Sequence, residues 1–210
     1  MSVSRSGSYD RIKRCSDAVI AGLMLLVSFP IQLVVGSLVA LAIGRPVLFR
    51  QQRPGLNGQV FTLYKFRTMR NPDAARGLTT DAERLTPFGR ALRATSLDEL
   101  PTLFNVLRGD MSLVGPRPLL VAYLDRYSPH QARRHEVRPG ITGLAQVSGR
   151  NAISWKARFD LDVQYVDEYS FTLDLSIIRR TVGAVLRRDG ITAADSATMP
   201  EFTGSEKESS

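Results

Sequence analysis

Hydrophobic and polar positions divide the chain into one long apolar run followed by a series of short amphipathic segments. Residues 18–43 carry no charge, a stretch of 26 positions, which as a straight helix is long enough to cross the roughly 30 Å hydrocarbon core of a bilayer. The run is too long for the apolar region of a signal peptide, and no small-residue cleavage site precedes the basic sequence after it, so it reads as an anchor. Beyond it, Asn57-Gly58 predicts a hairpin turn, and 59–69 a strand in which period-two spacing puts Phe61, Leu63, Lys65 and Arg67 on one face. The polar segment 71–86 reads as a mobile loop. Short helices are expected over 86–93, with Pro87 in the first turn, and over 100–107, stopped by Gly109. Residues 111–115 read as a short buried strand, 123–134 as a helix, 137–140 as a turn and the glycine-rich run to Asn151 as loop. Two further helices follow, over 155–169 and 174–188, and the tail from Ala193 is polar and loose. The fold class is α+β, mostly helical with few short strands. Its organisation is an N-terminal basic segment and membrane helix (1–45), a catalytic domain (46–192) and a polar tail (193–210).

The break and the flanks of the apolar run decide its topology. Ser28, Pro30 and Gln32 fall near its middle, where proline removes a backbone bond and Ser28 or Gln32 could satisfy the freed carbonyls. Arg11, Lys13 and Arg14 precede the run and Arg45, Arg50 and Arg53 follow it. One crossing cannot put both basic flanks in the cytoplasm, whereas a re-entrant helix broken at Pro30 puts both there. A kinked helix that crosses once and a core helix of a soluble protein are the alternatives. The last helix, with Leu175, Ile178, Val182, Val185 and Leu186 on one side and Arg179, Arg180, Arg187 and Arg188 beside them, suits an amphipathic helix in a membrane interface or, equally, one facing a core.

Composition narrows the partners. A net charge of +8 and a pI of about 10.1 call for an anion: nucleic acid, acidic lipid or a phosphorylated substrate. The apolar run, and the lack of a basic motif interleaved with aromatics, argue against nucleic acid. One cysteine, Cys15, excludes an intrachain disulfide, and two histidines are too few for an ordinary zinc site.

The chemistry concentrates at Thr95-Ser-Leu-Asp98-Glu99-Leu-Pro101 and Pro116-Arg117-Pro118. Asp98 and Glu99 lie between an arginine-bearing helix (Arg90, Arg93) and an apolar helical run. With Asp98 as the cap, Pro101 falls in a tolerated first-turn position, so Asp98 is either a structural cap or an ionised group at a phosphate-binding helix end. Lys65 and Arg67 form either a phosphate seat or an interfacial pair whose heads reach for water. The prolines around Arg117 hold it extended, as a bidentate phosphate contact needs. Arg138, Gln146 and Arg150 are candidate phosphate or nucleotide ligands on the glycine-rich segment, unless that segment is only a solvated loop.

Lys65-Phe-Arg-Thr-Met69, Ser96-Leu-Asp-Glu-Leu-Pro101, Gly109-Asp-Met-Ser-Leu-Val-Gly-Pro-Arg-Pro118 and Arg138-Pro-Gly-Ile-Thr-Gly-Leu-Ala-Gln146 occur in this order. Together they resemble the bacterial sugar transferase family, the monotopic phosphoglycosyl transferases, and the ending resembles its small PglC-type members. The resemblance implies transfer of a sugar-1-phosphate from a UDP-sugar to a polyprenol (undecaprenyl) phosphate with release of UMP, at the cytoplasmic face of a bacterial inner membrane. It implies Asp98 as the nucleophile of an aspartyl-phosphosugar intermediate, Glu99 as ligand of Mg²⁺, and Lys65, Arg67, Arg93 and Arg117 around the phosphates. Asp160 or Asp162 would assist the metal or orient the acceptor. Ser28-Phe29-Pro30 departs from the Ser-Pro usual at the family's helix break. A nucleotide-sugar hydrolase and a non-catalytic polyanion-binding scaffold are the rivals. Membrane lipids are expected partners, and a homodimer is an allowed assembly that no heptad specifies.

Overall fold

The structure, a computed structural model, describes residues 7–149, 153–187 and 201–204, and side chains within 9–149, 153–185 and 201–204. Helix α1 runs from Gly7 to Ala42. It is not interrupted at Pro30: the expected break leaves the helix continuous across its proline. The reason is local. Proline removes one bond, and the turn around it gains others, because the Ser28 hydroxyl donates back to the Met24 carbonyl at 2.5 Å and Gln32 donates to Ser28 Oγ at 2.9 Å.

Both arms of α1 rest on the rest of the chain. On the N-terminal arm Lys13 pairs with Asp174 (2.5 Å), Asp17 accepts from the Ser112 hydroxyl (2.6 Å), and Arg14 donates to the carbonyls of Val106 and Leu107. Ala21 then packs against Leu63, Leu103, Val106 and Met111. On the C-terminal arm Val35 and Val39 pack against Phe66 and Leu92. The other faces are bare: Val27 is 76% and Leu41 84% exposed. A soluble core helix would hide these side chains, so that alternative fails.

The remaining elements build two small sheets and a helical cover. Strands β1 (Leu48–Pro54) and β2 (Val60–Phe66) form the predicted antiparallel hairpin, with Asn57 and Gly58 both left-handed at its turn. The segment expected to be a mobile loop contains a short helix α2 (Asp81–Arg84), because Thr80 and Glu83 form a reciprocal capping box. Helix α3 (Pro87–Ala94) is capped by Thr86, and α4 (Thr102–Arg108) ends on the left-handed Gly109. Strand β3 (Ser112–Val114) pairs in parallel with β4 (Gly140–Thr142), which arises where a turn and loop were expected. The helix expected over 123–134 is instead a 3₁₀ turn, a one-turn helix α5 (Pro129–Ala132) started by its own proline, and another 3₁₀ turn. Helix α6 (Leu144–Val147) leads to α7 (Trp155–Glu168) and α8 (Phe171–Arg187). The core-facing reading of α8 is reversed, since Asp174 and Ile177 are its buried residues while Phe171, Leu175, Ile178 and Val182 stay exposed. Part of the expected loose tail is docked: Phe202 is buried among Tyr123, Tyr127, Trp155 and Phe159, and Arg126 binds its carbonyl.

Close backbone approach sets where α3 can sit. A Cβ on Gly89 would lie 1.9 Å from the Thr68 carbonyl oxygen. Gly89→Ala is therefore expected to destabilise the protein by about 2 kcal/mol or more. Gly22→Ala, whose Cβ meets only Leu107 Cδ1 at 3.8 Å, should be neutral or stabilising in the helix. Thermal unfolding of both variants checks the pair.

Candidate active site

Asp98 and Glu99 lie on a single 3₁₀ turn, Leu97–Glu99, entered through Ser96 in the left-handed region (φ 56°). Leu97 and Leu100, on either side of the carboxylates, pack into the core beneath the C-terminal arm of α1, and Leu100 also reaches the core beneath the N-terminal arm. The turn is thus pinned at both ends by apolar side chains, which leaves its acids no room to move out to water. Asp98 is not a helix cap, because α4 starts only at Thr102 and Pro101 precedes it without a side-chain cap. What faces the acids is a set of cationic side chains rather than a helix end.

Strand β2 delivers the first cation. Thr102 donates to the Tyr64 carbonyl (2.8 Å), and the Asn105 amide receives Tyr64 N–H (3.1 Å) and donates to the Thr62 carbonyl (2.7 Å). These three bonds fix α4 against β2 and so fix Lys65 against Glu99. Lys65 Nζ lies 2.5 Å from Glu99 Oε1, and Arg117 Nη2 donates to the same oxygen at 3.0 Å. Arg117 is held from behind. Its carbonyl accepts from Arg134 Nη2 (2.7 Å), and Arg134 is buried on Asp162 through Nε and Nη2 (3.0 and 2.7 Å). Gly140 N–H donates to the Pro116 carbonyl (3.0 Å), so the parallel strand pair steadies the same loop. Arg93 approaches from α3, oriented by its Nε donating to Thr68 Oγ1 (3.0 Å).

The two neighbouring carboxylates are treated differently. Burial would raise Glu99, but Arg117 and Lys65 outweigh it and hold the group at about 2. Burial and the charge of Glu99 push Asp98 up to about 6, against the pull of Lys65, Arg93 and Arg117. Only 8% of Asp98 is exposed, and among the described residues no donor bonds its carboxylate. Burial and Arg117 together lower Lys65 in spite of Glu99. The arrangement offers one fully ionised acid locked between two cations and one under-solvated acid whose oxygens are unspent.

Other expected ligands are spent elsewhere. Arg67, past the end of β2, donates to the carbonyls of Pro46 and Met69. Arg138 donates to the Gly109 carbonyl and Gln146 to the Ile141 carbonyl. Asp160 is on the surface, 3.6 Å from His130. Asp162 is buried on Arg134 and acts on the site through it. Arg150 lies outside the described residues. Sequence reading missed Arg134 and Arg53. Arg134 sits in the polar run Arg133-Arg134-His135-Glu136, where no pattern separates a buried arginine from exposed ones. Arg53 counted only as membrane-flanking charge, although its place on a strand just before Pro54 was a signal.

The bacterial sugar transferase family model matches residues 8–188. The chain belongs to that family. It is 54% identical over 195 residues to the uncharacterized sugar transferase EpsL of Bacillus subtilis, covering 92% of this chain and 96% of that one. It is 44% identical over 192 residues to a UDP-glucose:undecaprenyl-phosphate glucose-1-phosphate transferase of Caulobacter vibrioides, with 86% and 72% covered. To the undecaprenyl-phosphate galactose phosphotransferase of Salmonella typhimurium it is 39% identical over 198 residues, or 85% of this chain and 41% of that one. The family motifs thus coincide with the Lys65, Asp98-Glu99 and Arg117 cluster.

The raised Asp98 has a consequence for stability. Its folded value lies near 6 against an ordinary 3.8, so its ionisation opposes folding as pH rises through that window. In metal-free protein, Asp98→Asn should be more stable than wild type at pH 7.5 by about 2–3 kcal/mol. The advantage should fade below about pH 4, where the wild-type acid is protonated in both states. Denaturant unfolding at the two pH values checks the sign.

Proposed function

We propose that the chain transfers a sugar-1-phosphate from a UDP-sugar to undecaprenyl or a related polyprenol phosphate, releasing UMP, through a covalent intermediate on Asp98. The observation that carries this is the contrast between the two acids: Glu99 is neutralised by Lys65 and Arg117, whereas Asp98 is buried, raised and unbonded. Relatives named for glucose-1-phosphate and galactose phosphate transfer to undecaprenyl phosphate support the reaction class. In the first step an Asp98 carboxylate oxygen bonds the β-phosphorus, the bond from that phosphorus to the bridging oxygen breaks, and the electron pair leaves with UMP. In the second, a phosphate oxygen of the lipid attacks the same phosphorus and the Asp98 carboxylate departs, restoring the enzyme. Lys65, Arg93 and Arg117 offset the charge gathered on the phosphate oxygens. Arg134 and Asp162 keep Arg117 from swinging away.

Two adjacent acids suit Mg²⁺, which commonly takes one or two carboxylates and leaves the rest of its shell to water and substrate phosphates. Glu99 Oε2 and the Asp98 oxygens are the protein donors left for it, Oε1 being taken by Lys65 and Arg117. Among the described residues no three acid, histidine or cysteine side chains form a cage, which suits an ion held jointly with substrate. When bound, it would supply charge neutralisation at the phosphates.

The membrane placement in this proposal is re-entrant: α1 dips into the cytoplasmic leaflet, bent at Pro30, with α8 lying in the interface. Support comes from the contacts of α1. Lys13 and Asp17 on one arm, and Val35 and Val39 on the other, bind the same catalytic body. A helix crossing a hydrocarbon core about 30 Å thick would separate those arms across the bilayer. The exposed Phe171, Leu175, Ile178 and Val182 give α8 an apolar face for lipid.

Two outcomes are expected. Purified protein with a UDP-sugar, Mg²⁺ and a polyprenol phosphate should release UMP in proportion to lipid consumed, and Asp98→Asn should lower the rate by roughly three orders of magnitude or more. Sustained UMP release without lipid would favour the hydrolase, and full function in Asp98→Asn the scaffold. Labelling of tags at Met1 and Ser210 in intact cells should find both inaccessible from outside. An N-terminus exposed outside the cell would contradict the re-entrant placement.

A further inference from the structure

Arg53 ends β1 and is half-buried beside the active-site arginine. Its Nη2 donates to Gln51 Oε1, a neutral acceptor, at 2.5 Å, and its Nε is buried with no acceptor. Among the described residues no carboxylate lies within ion-pair reach of it. Glu99 cannot serve, since its Oε1 is already shared by Lys65 and Arg117. Burial, followed by repulsion from Arg117, lowers Arg53 to about 10. Two guanidinium groups therefore sit close together, one matched by Glu99 and the other by no acid.

A buried cation without a counter-ion is costly to a folded protein. The hairpin gives no structural reason for that cost, since Gln51 alone needs no charge opposite it. The surroundings supply a chemical one. Lys65, Arg93, Arg117 and Arg53 are four cations gathered around two carboxylates, of which only Glu99 is held fully ionised. The unspent positive charge is what a phosphate group would neutralise, and a guanidinium presents paired N–H donors to such a group.

Building on the proposed function, we infer that Arg53 is a substrate-binding residue that works with Arg117 to hold a phosphate group, and that its missing partner in the free protein is this phosphate. The phosphate comes either from the nucleotide or from the lipid acceptor. In both cases binding turns repulsion between Arg53 and Arg117 into two charge-assisted contacts.

The test uses the full chain in detergent, as wild type, Arg53→Gln and Arg53→Lys. Binding of UMP and of inorganic phosphate is measured by calorimetry, unfolding is followed without ligand, and KM is measured for UDP-sugar and for polyprenol phosphate. Arg53→Gln should unfold no earlier than wild type, because it removes an unmatched charge. It should weaken phosphate binding about tenfold or more, with Arg53→Lys recovering part of the loss. A loss on UMP together with a raised donor KM assigns the phosphate to the nucleotide. Intact UMP binding with a raised acceptor KM assigns it to the lipid. Unchanged affinity and unchanged KM for both substrates overturn the inference. So does a loss that tracks lowered stability and is as large in Arg53→Lys, since that marks a structural arginine. Absence of turnover in the wild type would count against the proposed function alone, because the binding measurements still judge Arg53.

Discussion

Everything at this site depends on one shared oxygen. Glu99 Oε1 receives both Lys65 and Arg117, so a strand, a 3₁₀ turn and a proline-bounded loop meet at a single ion triad. Two adjacent carboxylates in a desolvated turn cannot both be ionised cheaply. The triad settles which one is: it stabilises the charge on Glu99, and that charge in turn helps to raise Asp98. Structural glue and chemical reactivity are therefore assigned to neighbouring residues by the placement of two cations.

The fold serves to keep that geometry rigid. Leu97 and Leu100 anchor the turn in the cores beneath α1. Thr102 and Asn105 lock α4 to β2, and the buried Arg134–Asp162 pair holds the backbone of Arg117. Removing one partner of such a buried pair leaves the other uncompensated, so its stake in the site exceeds its distance from the acids. A long apolar helix that touches the catalytic body through both arms keeps the acids near the membrane, where a lipid phosphate would be met.

Much of this was legible in the chain. Asn57-Gly58 gave the hairpin, Thr86-Pro87 the start of α3, Gly109 the end of α4, and the run 18–43 its apolar helix, because each rests on local backbone chemistry. The cluster of Lys65, Asp98, Glu99 and Arg117 was legible from ordered motifs. What was lost depended on distant contacts. Arg67, Arg138 and Gln146 looked like ligands, but carbonyls brought near by folding take up their donors. Strand β4 exists because β3, far away in sequence, needs a partner. Phe202 docks because an aromatic cluster from two other segments awaits it. Arg53 and Arg134 carry the same charge as their surface neighbours, and only burial distinguishes them.

The central claim is that Asp98 becomes covalently bonded to the transferred phosphosugar. Intact-mass analysis after brief exposure to a panel of UDP-sugars with Mg²⁺, without lipid acceptor, tests it most directly. The account predicts an added mass of one sugar phosphate with the productive donor, mapped by peptide sequencing to Asp98, absent in Asp98→Asn and discharged by polyprenol phosphate. Turnover to lipid product with no adduct at any time, or an adduct mapped to another residue, would contradict it.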